Sequence, residues 1–368
     1  MRTNNVLGIL FSNSGDDALP ELTALRTMGS VPFGCRYRLI DFPLSSMVGA
    51  GITKVGVITK GNYRSLMDHL GMGKAWDLSR KREGLVLLPP FVGAGAGGNL
   101  TRMEGLRSAM EFLRNSLEEY VIMSDCNAVC SLDYRALLQT HMESGADITV
   151  ACRRGAAPRL ATMRPAVEEG GWVSHIGVSD EPDEDTLYSL NILVLRKALL
   201  EDLVREACSQ SLGDFEILRR KAVTLRMRAE VITAYARVID SLQSYYDTSM
   251  DLLDPACRRA LFDPARPVLT KVQDSMPAIY GLHAAAKNCL VADGCVIKGE
   301  AHGSVLFRGV AIGEGARVRN CVLMQGTQVG AGAQLESVIT DKAVVISPGK
   351  ILTGAANFPI YLGKKIVV

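Results

Sequence analysis

The sequence predicts an open α/β domain with a mostly parallel sheet over residues 1–245, a linker over 246–285, and a left-handed parallel β-helix over 286–368. Three observations carry this reading. Short apolar runs at Val6–Phe11, Lys54–Thr59 and Tyr120–Met123 are each followed by polar or glycine-containing turns and then by helical periodicity, as in parallel strands joined by crossover helices. Ile312-Gly-Glu-Gly-Ala, Val329-Gly-Ala-Gly-Ala and Ile346-Ser-Pro-Gly-Lys recur every seventeen residues, and Val291-Ala-Asp-Gly-Cys stands twenty-one residues before the first of them. Those spacings approximate three hexapeptides, one turn of a triangular coil whose aliphatic residue points inward while small residues turn the corner. Finally, 368 residues exceed one average domain.

Taken in order, Val6–Phe11 reads as a buried strand, too short for a signal segment or a membrane span. In an open α/β sheet, ligands sit beyond the carboxyl ends of the strands, so the loops after Phe11 and Met123 are where chemistry is expected. A helix at Leu132–Met142 and a strand at Asp147–Cys152 continue the pattern. The glycine-rich run Pro89–Asn99 reads as a loop or linker. With 41 basic against 39 acidic residues the net charge is only +2, which gives no field to gather nucleic acid or an anionic membrane, and neither partner is expected. Nine cysteines, an odd and irregularly spaced set, read as reduced core residues of a cytoplasmic protein. Cys126 and Cys130 lack a second Cys/His pair at zinc spacing.

Val31–Phe42, reading VPFGCRYRLIDF, followed by Pro43-Leu-Ser-Ser, closely resembles the A-V-P-F-G-G-K-Y-R-L-I-D-F-P-L-S-N signature of bacterial ADP-glucose pyrophosphorylase. The likeness extends through Ser244–Leu253 and Ser304–Arg308 and covers nearly the whole chain. It implies a nucleotidyltransferase-like, Rossmann-like first domain ahead of the β-helix. In that family ATP and glucose-1-phosphate become ADP-glucose for glycogen synthesis, with magnesium held by two aspartates. Such chemistry needs backbone donors and cations around the phosphates and carboxylates for the metal.

Position by position, those groups are missing here. The family's G-G-x-G-x-R-L loop falls on Asn13-Ser-Gly-Asp-Asp-Ala-Leu19, so its arginine becomes Ala18. Asp16 and Asp17 are expected to face the nucleotide, and two like charges about 4 Å apart repel by roughly 4 kcal/mol at an effective dielectric near 20. The active-site lysine of R-A-K-P-A-V becomes Met28. A metal aspartate of V-I-L-x-G-D-H falls on Cys126 or Asn127 in direct register, and on Asp125 after a one-residue shift. The sugar-phosphate lysine of E-K-P becomes Glu181, a reversal of charge, and the second metal aspartate becomes Val238, with Asp240 two residues on. Five losses aimed at one chemical function match the D-type, non-catalytic branch of the family. The resemblance therefore implies a regulatory subunit that binds no cofactor itself and assembles, as a heterotetramer, with a catalytic homologue that uses magnesium. Arg26 and Arg38 match arginines associated with an anionic, phosphorylated effector, and Arg36 replaces a lysine there; the competing role for Arg38 is a structural pair with Asp41. The competing function is an active nucleotidyltransferase with a rewired metal site at Asp125 and Asp240.

Overall fold

The computed structural model describes residues 5–80, 83–89, 101–181 and 183–368. Most of the glycine-rich run Pro89–Asn99 and Pro182 lie outside them. Among the described residues a seven-stranded sheet forms from β1 (Val6–Phe11), β2 (Lys54–Ile58), β3 (Gly84–Leu88), β4 (Tyr120–Asp125), β5 (Ile148–Gly155), β6 (Thr186–Arg196) and β7 (Met227–Val231). Their spatial order is β3-β2-β1-β4-β6-β5-β7. All neighbours run parallel except β6, which pairs antiparallel with both β4 and β5.

β1 shows why its sequence is an unbroken apolar run. Leu7, Ile9 and Phe11 enter one core together with Leu200, Leu203 and Val204 of helix Lys197–Ser209. Val6 and Leu10 enter a second core with Leu44 and Met47 of helix Asp41–Gly49 and Leu137 and Leu138 of helix Tyr134–Ser144. A strand covered by helices on both faces has no solvent side to make polar. Each fully buried aliphatic side chain here contributes on the order of 1.5–3 kcal/mol.

The coil consists of three five-stranded parallel sheets, one per side of the triangle. Ile312, Val329 and Ile346 stack in register on one side, as their spacing requires. Val291 does not join them: it pairs with Leu306 on another side, and Ile297 is the residue stacked on Ile312. The rung between Ile297 and Ile312 is fifteen residues, two shorter than the next, and Val291 stands six residues before Ile297. The first rung opens with Ile279–Tyr280, ahead of residue 286. Within 246–285, helix Leu242–Asp251 continues past 245 and helix Pro255–Leu261 follows, and both are packed rather than extended.

A third hydrophobic cluster binds the two halves together. Val31, Phe33, Leu39 and Phe42 of the first half meet Phe307, Val322, Met324 and Ile339 of the coil, with Tyr245, Leu252 and Leu261 between them. Hydroxyls fasten the same seam: Tyr245 donates to the Pro32 carbonyl at 2.8 Å, and Tyr246 to the Asn320 carbonyl at 2.7 Å.

Candidate functional site

At the carboxyl ends of β1, β2 and β4 lies a cleft of about 240 Å3. Its walls are apolar at Phe11, Ile58, Leu88, Leu160 and Phe215 and polar at Asn13, Asn127, Thr162 and Asn191. Its charged lining is Asp17, Asp125 and Asp214 against Lys60 and Arg102. This is the place where open α/β sheets take their ligands.

The loop after β1 is organised around Asp16, which turns inward rather than toward the cleft. Its carboxylate accepts the Met28 amide at 2.7 Å and the Asn13 side-chain amide at 2.6 Å. Asn13 in turn accepts the Lys60 amide at 2.7 Å. Burial outweighs these bonds and pushes Asp16 up to about 6. The expected pair of charges facing a nucleotide is therefore corrected: Asp17 alone lines the cleft, and its repulsion is the weakest influence on Asp16.

The remaining expected positions separate into those that reach the cleft and those that do not. Met28 is fully buried, with its methyl beneath Gly15. Ala18 closes the turn through its amide to the Gly15 carbonyl. Cys126 is also buried, packed against Gly29, and burial raises its thiol. The alternation of extended backbone turns both Asp125 and Asn127 into the cleft and Cys126 away from it. Glu181 is exposed and away from the cleft lining; its carbonyl accepts the Arg164 guanidinium. Val238, paired opposite Ala128 in a short ribbon, does line the cleft and gives it an apolar patch.

Asp125 and Asp240 are not brought together. Asp240 lines a separate hollow with Arg159 and Asp247, where it accepts the Arg159 amide and the Ser241 hydroxyl at 3.1 Å. Asp125 is tied to Arg102 at 3.2 Å and accepts the Asn191 side-chain amide at 2.9 Å. Burial holds its pKa above the usual carboxylate range. The residues present do not fit a divalent ion: Asp125 and Asp214 at the cleft floor are both already paired with Arg102, and the partner position is a valine. Sequence reasoning passed over Arg102, Asn191 and Asp214. The signal was there in Ser189 and Asn191, polar interruptions of an otherwise apolar strand.

A second site lies at the seam between the halves. Arg36, Arg38, Lys271, Arg308 and Lys342 line a hollow of about 50 Å3 whose lining, among the described residues, contains no carboxylate. Arg36 is exposed and lies over Tyr37, 5.3 Å from the ring centroid. The Arg38 guanidinium donates to the Ser65 carbonyl at 2.6 Å and hydroxyl at 2.8 Å. Asp41 receives the Arg38 backbone amide at 3.0 Å and meets His69 at 2.6 Å, so Arg38 and Asp41 do not form a side-chain pair. Burial lowers Arg38 to about 10 and, aided by Arg38 and Arg26, lowers Lys342 to about 8. Five cations thus crowd one hollow, and among them Arg308 has a counter-charge in Asp293 at 3.9 Å. Arg26 is not part of it. Its Nη2 lies 2.8 and 2.6 Å from the two oxygens of Asp341 in the coil, and the pair is almost fully buried.

Residues 17–159 match the nucleotidyl transferase family profile, and residues 277–355 match the GlmU-like, C-terminal hexapeptide profile. The chain is 36% identical to the glycogen biosynthesis protein GlgD of Bacillus subtilis, over all of this chain and 98% of that one. It is 36% identical to GlgD of Geobacillus stearothermophilus over 86% of this chain and 83% of that one. The glucose-1-phosphate adenylyltransferase of Thermosipho melanesiensis is 31% identical over 86% of this chain and 78% of its own length. A nucleotidyltransferase sheet joined to a hexapeptide coil, at this identity and coverage, places the chain in the GlgD branch of the glucose-1-phosphate adenylyltransferase family.

Proposed function

We propose that this chain is a regulatory, non-catalytic subunit that assembles with a catalytic homologue and modulates its synthesis of ADP-glucose from ATP and glucose-1-phosphate. One observation supports the reading above others. The cleft carboxylate that metal-dependent transfer would use is occupied by Arg102, while Met28 and Val238 fill neighbouring positions with apolar groups. Magnesium then belongs to the partner's chemistry. The preserved seam and its basic hollow suit a chain whose task is assembly and response, with a phosphorylated anion as effector, in a cytoplasmic heterotetramer. Among the described residues no helix is long and apolar enough to cross a membrane.

The test is reconstitution. The chain alone, the catalytic homologue alone and the two together are assayed for ADP-glucose formation, with sedimentation to establish assembly. The expected result is background activity for the chain alone and an altered effector response in the mixture. Robust turnover by the lone chain would overturn the proposal.

A further inference from the structure

The cleft floor is closed by a clasp whose parts lie far apart in sequence. Arg102 opens helix Arg102–Ser108, and Asp214 opens helix Asp214–Lys221. The Arg102 guanidinium reaches between them: Nη2 is 3.2 Å from Asp125 Oδ1, and Nη1 is 3.5 Å from Asp214 Oδ2. Nη2 also donates to the Asn191 carbonyl at 3.3 Å, and the guanidinium lies 4.6 Å from the Phe11 ring centroid. The Arg102 side chain is only 12% exposed and that of Asp125 only 3%.

Asn191 makes this arrangement possible. The pairing of β6 with β5 shifts register between Ser189 and Ile192, and Asn191 takes the left-handed conformation at φ 55°. A non-glycine residue held there marks a bulge maintained by its surroundings. In that conformation its carbonyl faces Arg102 while its side-chain amide donates to Asp125 Oδ2 at 2.9 Å. A single residue thus orients both members of the pair. Among the described residues, Asp125 Oδ1 has the ionic contact with Arg102 and no hydrogen-bond donor of its own.

We propose that Arg102 is the built-in cation of this cleft, occupying the carboxylate a divalent ion would need and thereby excluding metal from the chain. A hard cation requires several unpaired oxygen ligands and room for water. Here both oxygens of Asp125 are engaged, Val238 supplies no ligand, and Asp240 serves another hollow. Taking the guanidinium away leaves Asp125, Asp214 and the Asn191 carbonyl around one space. Those are oxygen ligands of the kind that manganese and magnesium take.

The experiment is a titration of the full-length chain with Mn2+, followed by electron paramagnetic resonance of the free ion, with circular dichroism as a check on folding. Wild type is expected to bind no Mn2+ through Asp125. Arg102→Met is expected to gain Mn2+ affinity by roughly tenfold or more, and adding Asp125→Asn to remove the gain. Arg102→Gln, which keeps a donor for the Asn191 carbonyl without the charge, is expected to behave as Arg102→Met does and serves if that variant does not fold. Wild-type binding that Asp125→Asn abolishes would overturn the proposal, as would a folded charge-free variant with no gain. Metal binding by wild type without turnover would defeat this inference and leave the regulatory reading standing; turnover by the lone chain would defeat that reading instead.

Discussion

Replacing Arg26 by Met tests whether the seam between the halves is held by charge as well as by apolar packing. Arg26 is 3% exposed and Asp341 2%, and the pair joins residues 315 positions apart in sequence. Removing the guanidinium leaves a buried carboxylate whose remaining bonds are the Lys342 amide at 2.6 Å and the Tyr361 hydroxyl at 3.4 Å. Breaking a buried pair from one side costs about 3–5 kcal/mol, because the surviving charge stays out of water. By contrast, the exposed Arg205–Asp202 pair, with side chains 65% and 68% accessible, should lose less than about 1 kcal/mol on the same treatment. Urea unfolding followed by circular dichroism reads both losses as shifts in midpoint at unchanged slope. In a double-mutant cycle, Arg26→Met with Asp341→Asn should recover about 2 kcal/mol relative to the sum of the single changes. A loss below about 1 kcal/mol for Arg26→Met would refute the reasoning, since it would mean that the pair behaves as a solvated surface bridge.

Three further outcomes are expected. Lys342, lowered to about 8, is charged below that pH and neutral above it, so phosphate binding at the seam should weaken as pH rises through about 8. Isothermal titration across that range checks this, and Lys342→Met should remove the dependence. Asp16 is raised to about 6 from 3.8, so the folded chain holds the extra proton between those values and stability falls as pH rises through that window. Asp16→Asn should flatten that slope, worth about 2–3 kcal/mol in unfolding measurements between pH 4 and 6. Gly56 leaves no room for a methyl group, whose carbon would lie 2.7 Å from Phe112 and 2.9 Å from Leu88. Gly56→Ala should therefore cost about 1–3 kcal/mol by overpacking, read from its urea midpoint.

Much of the architecture was legible because it follows from local periodicity. The run Val6–Phe11 and the spacing of Ile312, Val329 and Ile346 each record a rule that repeats along the chain. Val291 misled because it stands one hexapeptide, six residues, ahead of Ile297 on a different side of the coil, a difference that strand pairing reveals and spacing alone conceals. At the cleft, the apolar character of Met28 and Val238 was legible from residue type alone. The clasp of Arg102, Asp125 and Asp214 was not, because the polar Ser189 and Asn191 mark an interruption of the strand without showing which distant side chains the bulge brings together. The basic hollow was likewise half visible. Arg36 and Arg38 stand in the signature stretch, whereas Lys271, Arg308 and Lys342 arrive by folding. Arg26 stands just ahead of that stretch, and burial against Asp341 gives it a different task.

The cluster uniting Phe33 and Phe42 with Phe307 and Met324 makes the compositional change near residue 280 no boundary for folding. Residues 271–277, which run between the two halves, are exposed throughout. A protease would find its cut there, while the surfaces that grip each other lie elsewhere. The nicked chain should persist as two fragments in one noncovalent complex, eluting as a single species until denaturant parts them.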